Sequence, residues 1–174
     1  IPIFMTLRTK SKIYGVELQE DIYDLAVRSV KLNNLEEQVK IINGNMKDIY
    51  KTLGVSQFDV VTCNPPYFVY KETSNLNKND YLTIARHEVE VTLDEVVKAA
   101  NTLLKDGGTF AMVHRAERLM DVLEAFRNHS IEPKRLRFVY PKITDKEALI
   151  ILVEGKKSKN KGGLKVLKPL YEYD

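Results

Sequence analysis

The 174 residues predict a doubly wound α/β sheet that closes on an antiparallel strand pair. Short apolar, β-branched runs alternate with stretches of helical period. One of those runs, FDVVTC, is continuous enough for a strand buried on both faces of a parallel sheet. The last two runs follow one another with no helix between them, which places an antiparallel pair at one sheet edge. A chain of one-domain size with 44% hydrophobic residues can fill one core.

Taken in order, residues 1–9 read as an opening helix, and residues 12–18 (KIYGVEL) as a strand. Residues 20–33 place Ile22, Leu25, Ala26, Ser29 and Val30 on one helical face, with Asn33-Asn34 as the stop. Residues 39–42 form the next strand, residues 46–53 a short helix closed by Gly54, and residues 58–63 (FDVVTC) the third strand. A polar stretch, residues 68–90, is the longest interruption of the pattern. Thr92-x-x-Glu95 is a capping box that opens a helix bearing Val96, Val97, Ala100, Leu103 and Leu104, ended by Gly107-Gly108. Residues 109–113 form a strand, residues 116–128 a helix with Leu119, Leu123 and Phe126 inward, and residues 135–140 and 148–153 the closing pair.

The net charge of +3 is unevenly placed. From Gly155 to Asp174 six lysines face two acids, giving +4, so the other 154 residues sum to about −1. A near-neutral domain, residues 1–154, with a basic tail, residues 155–174, suits an anionic partner, nucleic acid above all; a solvated terminus is the alternative. No run approaches the roughly 20 apolar residues of a membrane span, so no membrane partner is expected. The single cysteine, Cys63, excludes an internal disulfide framework and fits a reducing cytoplasm. One cysteine and three scattered histidines make no zinc site.

The chemistry centres on Asn64-Pro65-Pro66-Tyr67, directly after the third strand. An amine on an aromatic ring or an amide is a poor nucleophile because its lone pair is delocalised, so it needs orientation more than deprotonation. Asn64 Oδ1 can accept one N–H and the Pro65 carbonyl the other, which turns the lone pair towards a methyl donor. The prolines hold φ near −65° and offer no competing N–H. Tyr67 supplies a flat face for a base to stack on. A Pro-Pro turn that merely ends a strand is the plainer alternative.

Asn-Pro-Pro-Tyr in this position resembles the superfamily of adenine-N6 and glutamine-N5 methyltransferases. More narrowly, GVELQED, the paired asparagines, VVTCNPPYF, Ala85-Arg86-His87-Glu88 and Lys168-Pro169-Leu170 resemble bacterial tRNA (adenine-N6)-methyltransferases that modify a valine tRNA. The resemblance implies a Rossmann-like class I methyltransferase fold, S-adenosyl-L-methionine as cofactor and tRNA as partner. It implies that Glu17 holds the cofactor's ribose hydroxyls, because a carboxylate accepts two hydrogen bonds at once, and that Leu18 covers an adenine face. Asn45 and Met46 meet the adenine edge; many relatives carry Asp where Asn45 stands. Asn64 borders the cofactor as well. Arg86 and His87 fall in the insert after the motif, where substrate-recognition segments lie, or on a solvated helical face. By their charge Lys156, Lys157, Lys159 and Lys161, extended by Lys134, Arg135 and Arg137, could contact RNA phosphates. His114 and Arg115 leave a strand at the functional edge, or cap the next helix. Cys63 reads as a small core residue.

That fold opens with a strand and a glycine-rich turn, whereas this sequence starts inside what resembles the first helix. The expectation is therefore a sheet lacking its first strand and the turn that would carry the methionine end of the cofactor. Two other readings stay open: methylation of a glutamine amide in a protein such as a release factor, and a catalytically silent RNA-binding fragment.

Overall fold

In the computed structural model, which describes residues 1–65 and 91–173, the chain divides into two units, Ile1–Gly54 and Val55–Asp174. The first contains α1 (Pro2–Met5), β1 (Ile13–Glu17), α2 (Glu20–Leu32), β2 (Val39–Asn43) and α3 (Tyr50–Leu53). β1 and β2 are parallel with α2 as the crossover, and their register runs from Ile13 beside Val39 to Glu17 beside Asn43. Both strands therefore end at one level. Ile13, Val30 and Val39 form the small core, with Ile3, Met5, Leu35 and Ile41 packed around it.

α2 carries Glu20 and Asp21 in its first turn, where carboxylates suit the helix dipole, and stops at the paired asparagines, with Asn34 at φ 54°. Its inward face is narrower than the periodicity predicts. Val30 is buried, but Ile22 is 44% and Leu25 51% exposed. A helix about 10 Å across, laid on two strands about 4.8 Å apart, leaves part of its apolar stripe beyond the sheet rim. The helix expected from residue 46 is confined to α3. Asn45 Oδ1 accepts the Lys47 N–H at 2.9 Å, and residues 46–49 form turns that lead into the helix.

The second unit contains β3 (Phe58–Cys63), α4 (Leu93–Leu103), β4 (Leu104–Arg115), a 3₁₀ turn (Ala116–Arg118) and α5 (Leu119–Asn128). They are followed by β5 (Ile131–Lys142), β6 (Ile150–Lys157), β7 (Lys165–Val166) and β8 (Leu170–Tyr173). The sheet order is β3-β4-β6-β5-β7, with β8 also on β5. β3 is parallel to β4, β6 is antiparallel to both β4 and β5, and β7 and β8 are parallel to β5. The antiparallel pair is present but lies inside the sheet. After β6 the chain reverses through Gly162 and Gly163, at φ 84° and 79°, and lays β7 and β8 along the outer side of β5.

β3 is not buried on both faces: Asp59, Val60 and Thr62 are exposed, Val60 by 50%, and Phe58, Val61 and Cys63 are half-buried. Phe110 and Phe126, 5.1 Å apart, join Val96, Val97, Leu104, Val122 and Ile131 in the core. On α5 the buried residues are Val122, Ala125 and Phe126, while Leu119 and Leu123 are half-buried. The 3₁₀ turn, with three residues per turn instead of 3.6, sets a different phase from a helix running unbroken from residue 116.

The capping box at α4 is complete: Thr92 Oγ1 accepts the Glu95 N–H at 3.2 Å and Glu95 Oε2 accepts the Thr92 N–H at 2.9 Å. Thr92→Ala should cost about 1 kcal/mol, lowering Tm by roughly 2–4 °C in thermal unfolding. Leu104, expected on the helix, instead opens β4 fully buried. Gly108 sits where β4 crowds β3: a Cβ there would lie 2.8 Å from the Lys105 carbonyl and 3.2 Å from that of Asp59.

Candidate active site

In open α/β sheets, ligands bind beyond the carboxyl ends of the strands. In the first unit that edge is built by Glu17, which closes β1, and Leu18, and by Asn43, which closes β2, with the residues that follow it to Met46. Glu17 Oε1 accepts the Gln19 N–H at 3.0 Å, which fixes the carboxylate at the strand end. The Glu17 carbonyl accepts from Gly44 N–H at 2.9 Å and from Asn43 Nδ2 at 3.1 Å, and the Leu18 carbonyl accepts from the same amide at 3.2 Å. Asn43 thus ties the two strand ends together. Sequence reading missed it; its position across the ladder from Glu17 is the signal. Leu18 and Asn45 are exposed and Met46 half-buried, so the edge offers a carboxylate, an amide and two apolar groups.

In the second unit Cys63, beside Met112, is the last paired residue of β3, and Asn64 and Pro65 follow at once. Asn64 is exposed and Pro65 buried, so the ring anchors the backbone while the amide stands at the surface. Pro66, Tyr67, Arg86 and His87 lie outside the described residues. Burial pushes the Cys63 thiol up to about 11, so at neutral pH it is a protonated group and no nucleophile. His114 stands at the carboxyl end of β4, as expected, but its side chain is buried, and its Nδ1 accepts the Arg115 N–H at 2.9 Å. Burial, with Arg118 nearby, lowers its pKa and keeps it neutral. Among the described residues no group of three or more His, Cys, Asp or Glu is placed to hold a metal ion.

A family model described as N-6 DNA Methylase matches residues 6–124. The chain belongs to this N-6 DNA methylase family. It is 26% identical over 116 residues to a tRNA1(Val) (adenine(37)-N6)-methyltransferase of Porphyromonas gingivalis, covering 65% of this chain and 44% of that protein. It is 24% identical over 143 residues to the protein of the same name from Phocaeicola vulgatus, covering 82% and 58%. The chain thus spans about half the length of these relatives. Among solved structures it resembles a predicted O-methyltransferase of Agrobacterium tumefaciens, with TM-score 0.69, 15% identity, and 92% and 68% of the two chains covered. It also resembles the geranyl diphosphate C-methyltransferase of Streptomyces coelicolor, with TM-score 0.63, 12% identity, and 89% and 66% covered. The fold is therefore the Rossmann-like class I methyltransferase fold.

The lysines of this N-6 methylase chain divide by role. Lys156, Lys159 and Lys161 are exposed. Lys157 turns inward: its Nζ donates to the Asn101 and Leu104 carbonyls at 2.9 and 2.8 Å, satisfying the end of α4. That commitment takes it out of the group expected on phosphates. Lys134 Nζ donates to the Asn160 and Gly162 carbonyls, and Arg135 makes a two-pronged pair with Glu154, so both serve the fold. Arg137 is half-buried. No helix among the described residues is long and apolar enough to cross a membrane.

The buried Glu132 organises this region. Arg127 Nε and Nη2 donate to its two oxygens at 3.2 and 2.9 Å, and Gly162 N–H donates to Oε1 at 2.8 Å. The Arg127 guanidinium holds the carboxyl below the ordinary 4.5. A lowered carboxylate pKa stabilises the fold above the unfolded value, and that gain is lost as pH falls through the folded one. Glu132→Gln should therefore melt several degrees below wild type at pH 7, with the gap closing as pH drops below about 4. A gap that stays constant over this range, read by thermal unfolding, would remove the charge from the explanation.

Proposed function

We propose that this chain transfers a methyl group from S-adenosyl-L-methionine to the exocyclic N6 amine of adenine in tRNA. The observation that carries this reading is an exposed Asn64 with a buried Pro65 one step past β3, in a chain of the N-6 DNA methylase family. The tRNA (adenine-N6)-methyltransferase relatives favour RNA over DNA as the acceptor, and the exposed lysines suit a polyanion of either kind. The lone cysteine suits a cytoplasmic setting.

The edge of the first unit fits the nucleoside half of the cofactor. The Glu17 carboxylate would accept from the two ribose hydroxyls, while Leu18, Asn45 and Met46 would border the adenine. When bound, the cofactor supplies an electrophilic methyl on sulfonium sulfur. The target amine donates its two N–H groups to Asn64 Oδ1 and the Pro65 carbonyl. Those two bonds would draw its lone pair out of conjugation with the ring, and the surplus proton would leave to water after transfer. Pro66 stiffens the acceptor carbonyl, Tyr67 stacks on the base, and Arg86 and His87 contact the substrate. No acid–base dyad is needed.

Radiolabelled S-adenosylmethionine offered in parallel with bulk tRNA, bulk DNA and a release-factor protein tests the proposal. Label entering tRNA and recovered as N6-methyladenine is the expected result. Label in the protein as methylglutamine, or in no acceptor, overturns it.

A further inference from the structure

The C-terminal segment is built onto the sheet in a way that its composition does not explain. Residues 165–173 run beside residues 135–142 in the same direction, with Lys165 and Val166 paired to Arg135 and Leu136, and Leu170, Tyr171 and Tyr173 to Val139, Tyr140 and Lys142. Seven strand steps make this edge roughly 23 Å long. Its head is fixed. Lys134 Nζ holds the Asn160 and Gly162 carbonyls at 3.2 and 2.6 Å, the buried Glu132 holds Gly162 N–H, and Ser158 N–H donates to Ser130 O at 3.1 Å. Lys159 and Lys161 are therefore presented from a braced loop.

At the other end, Tyr171 lies against Tyr140 with ring centroids 5.8 Å apart. Tyr171 is 45% and Tyr173 59% exposed, and partners in a parallel register share a face, so Tyr140, Lys142, Tyr171 and Tyr173 lie on one side of the sheet. Lys156, Lys159, Lys161, Lys165 and Lys168 are all exposed, against Glu172 as the described acid of the segment. This combination selects the occupant. A row of lysines on an edge strand deters pairing with another protein strand. Lys165 pairs with Arg135, five residues from Tyr140, so it stands on the side of the sheet opposite the tyrosines. Exposed lysines on one side of the edge and open rings on the other suit a polyanion lying along the edge itself, with its phosphates to one side and its unstacked planar groups to the other.

We propose that this edge is a docking strip for a single-stranded segment of RNA, with lysines on its phosphates and the Tyr171–Tyr173 face stacked on unpaired bases. The proposal rests on the nucleic-acid reading above and names the part of the substrate that the sheet edge grips. Tyr171 and Tyr173 guide the strand and take no part in the reaction.

Fluorescence anisotropy of the chain with a short unstructured ribo-oligonucleotide, and with the same oligonucleotide annealed to its complement, tests it. Tyr171→Ala and Tyr173→Ala should each weaken single-strand binding about tenfold, and the Phe variants should bind as wild type. Lys165→Gln and Lys168→Gln should each lower the slope of log K against log salt by about 0.7. Tyr173 is the safer site for the fold, since more than half of it is exposed; an unchanged melting temperature confirms that binding alone is read. Alanine variants that bind like wild type, or that lose single strand and duplex by the same factor, overturn the strip. Methyl transfer into tRNA on the same samples separates the two ideas. Transfer by wild type with tyrosine-independent binding overturns the strip alone. Tyrosine-dependent binding with no transfer overturns the activity and leaves the strip.

Discussion

Replacing Asn64 by alanine is expected to reduce methyl transfer by about 10²–10³-fold while leaving the fold and the cofactor affinity close to wild type. The magnitude is that of losing one oriented partner of a developing charge, about 3–4 kcal/mol of barrier. An adenine amine shares its lone pair with the ring, and only a geometry that pulls both N–H bonds aside restores its nucleophilicity. With one acceptor gone, the Pro65 carbonyl alone leaves the amine free to rotate back into conjugation. The fold should tolerate the change, because the Asn64 side chain is exposed past the last rung of β3 and its truncation opens no core cavity. Single-turnover transfer into tRNA, with cofactor affinity by calorimetry and Tm alongside, checks it. Transfer within threefold of wild type would show that the amine is oriented elsewhere.

The second large effect is expected at Glu17, and in the opposite quantity. Glu17→Ala should weaken S-adenosylmethionine binding by roughly 10–100-fold, because hydrogen bonds to a charged group contribute about 1.5–3 kcal/mol. Saturating cofactor should then recover most of the transfer rate, the behaviour of a group that binds ground state and transition state alike. Glu17→Gln retains an acceptor for the Gln19 N–H but loses the charge, and should fall between alanine and wild type. Glu17 is half-buried at a strand end, and the contacts that tie β1 to β2 there use its carbonyl, so both variants should fold. Unchanged affinity in calorimetry would remove Glu17 from the ribose site.

The places of those two residues were legible without coordinates, because where a strand ends depends on local order along the chain: Glu17 closes β1 and Asn64 follows β3. His114 shows the limit of that reasoning. It also leaves a strand near the carboxyl edge, yet it points to the helix-covered face and is buried there, because strand alternation gives each side chain one of two faces. The basic tail shows it again. Lys156 and Lys157 are neighbours of one type, and the period of two sends one to solvent and the other to the last carbonyls of α4. Composition counts such lysines equally; burial does not.

By itself, then, the amino-acid order determined the elements whose causes are short in range: the Thr92–Glu95 cap, the asparagine stop of α2, the parallel and antiparallel strand runs and the Asn64-Pro65 corner. The tertiary structure decided what depends on partners far away in sequence. It put β6 between β4 and β5, laid β7 and β8 against β5 and turned α5 on its axis. Residues 135–142 and 165–173 become neighbours only through a loop held by Glu132 and Lys134. Strand order follows from which backbone edges close ladders and which side chains fill one core. Those are sums over contacts distant in the chain, and no local pattern encodes them.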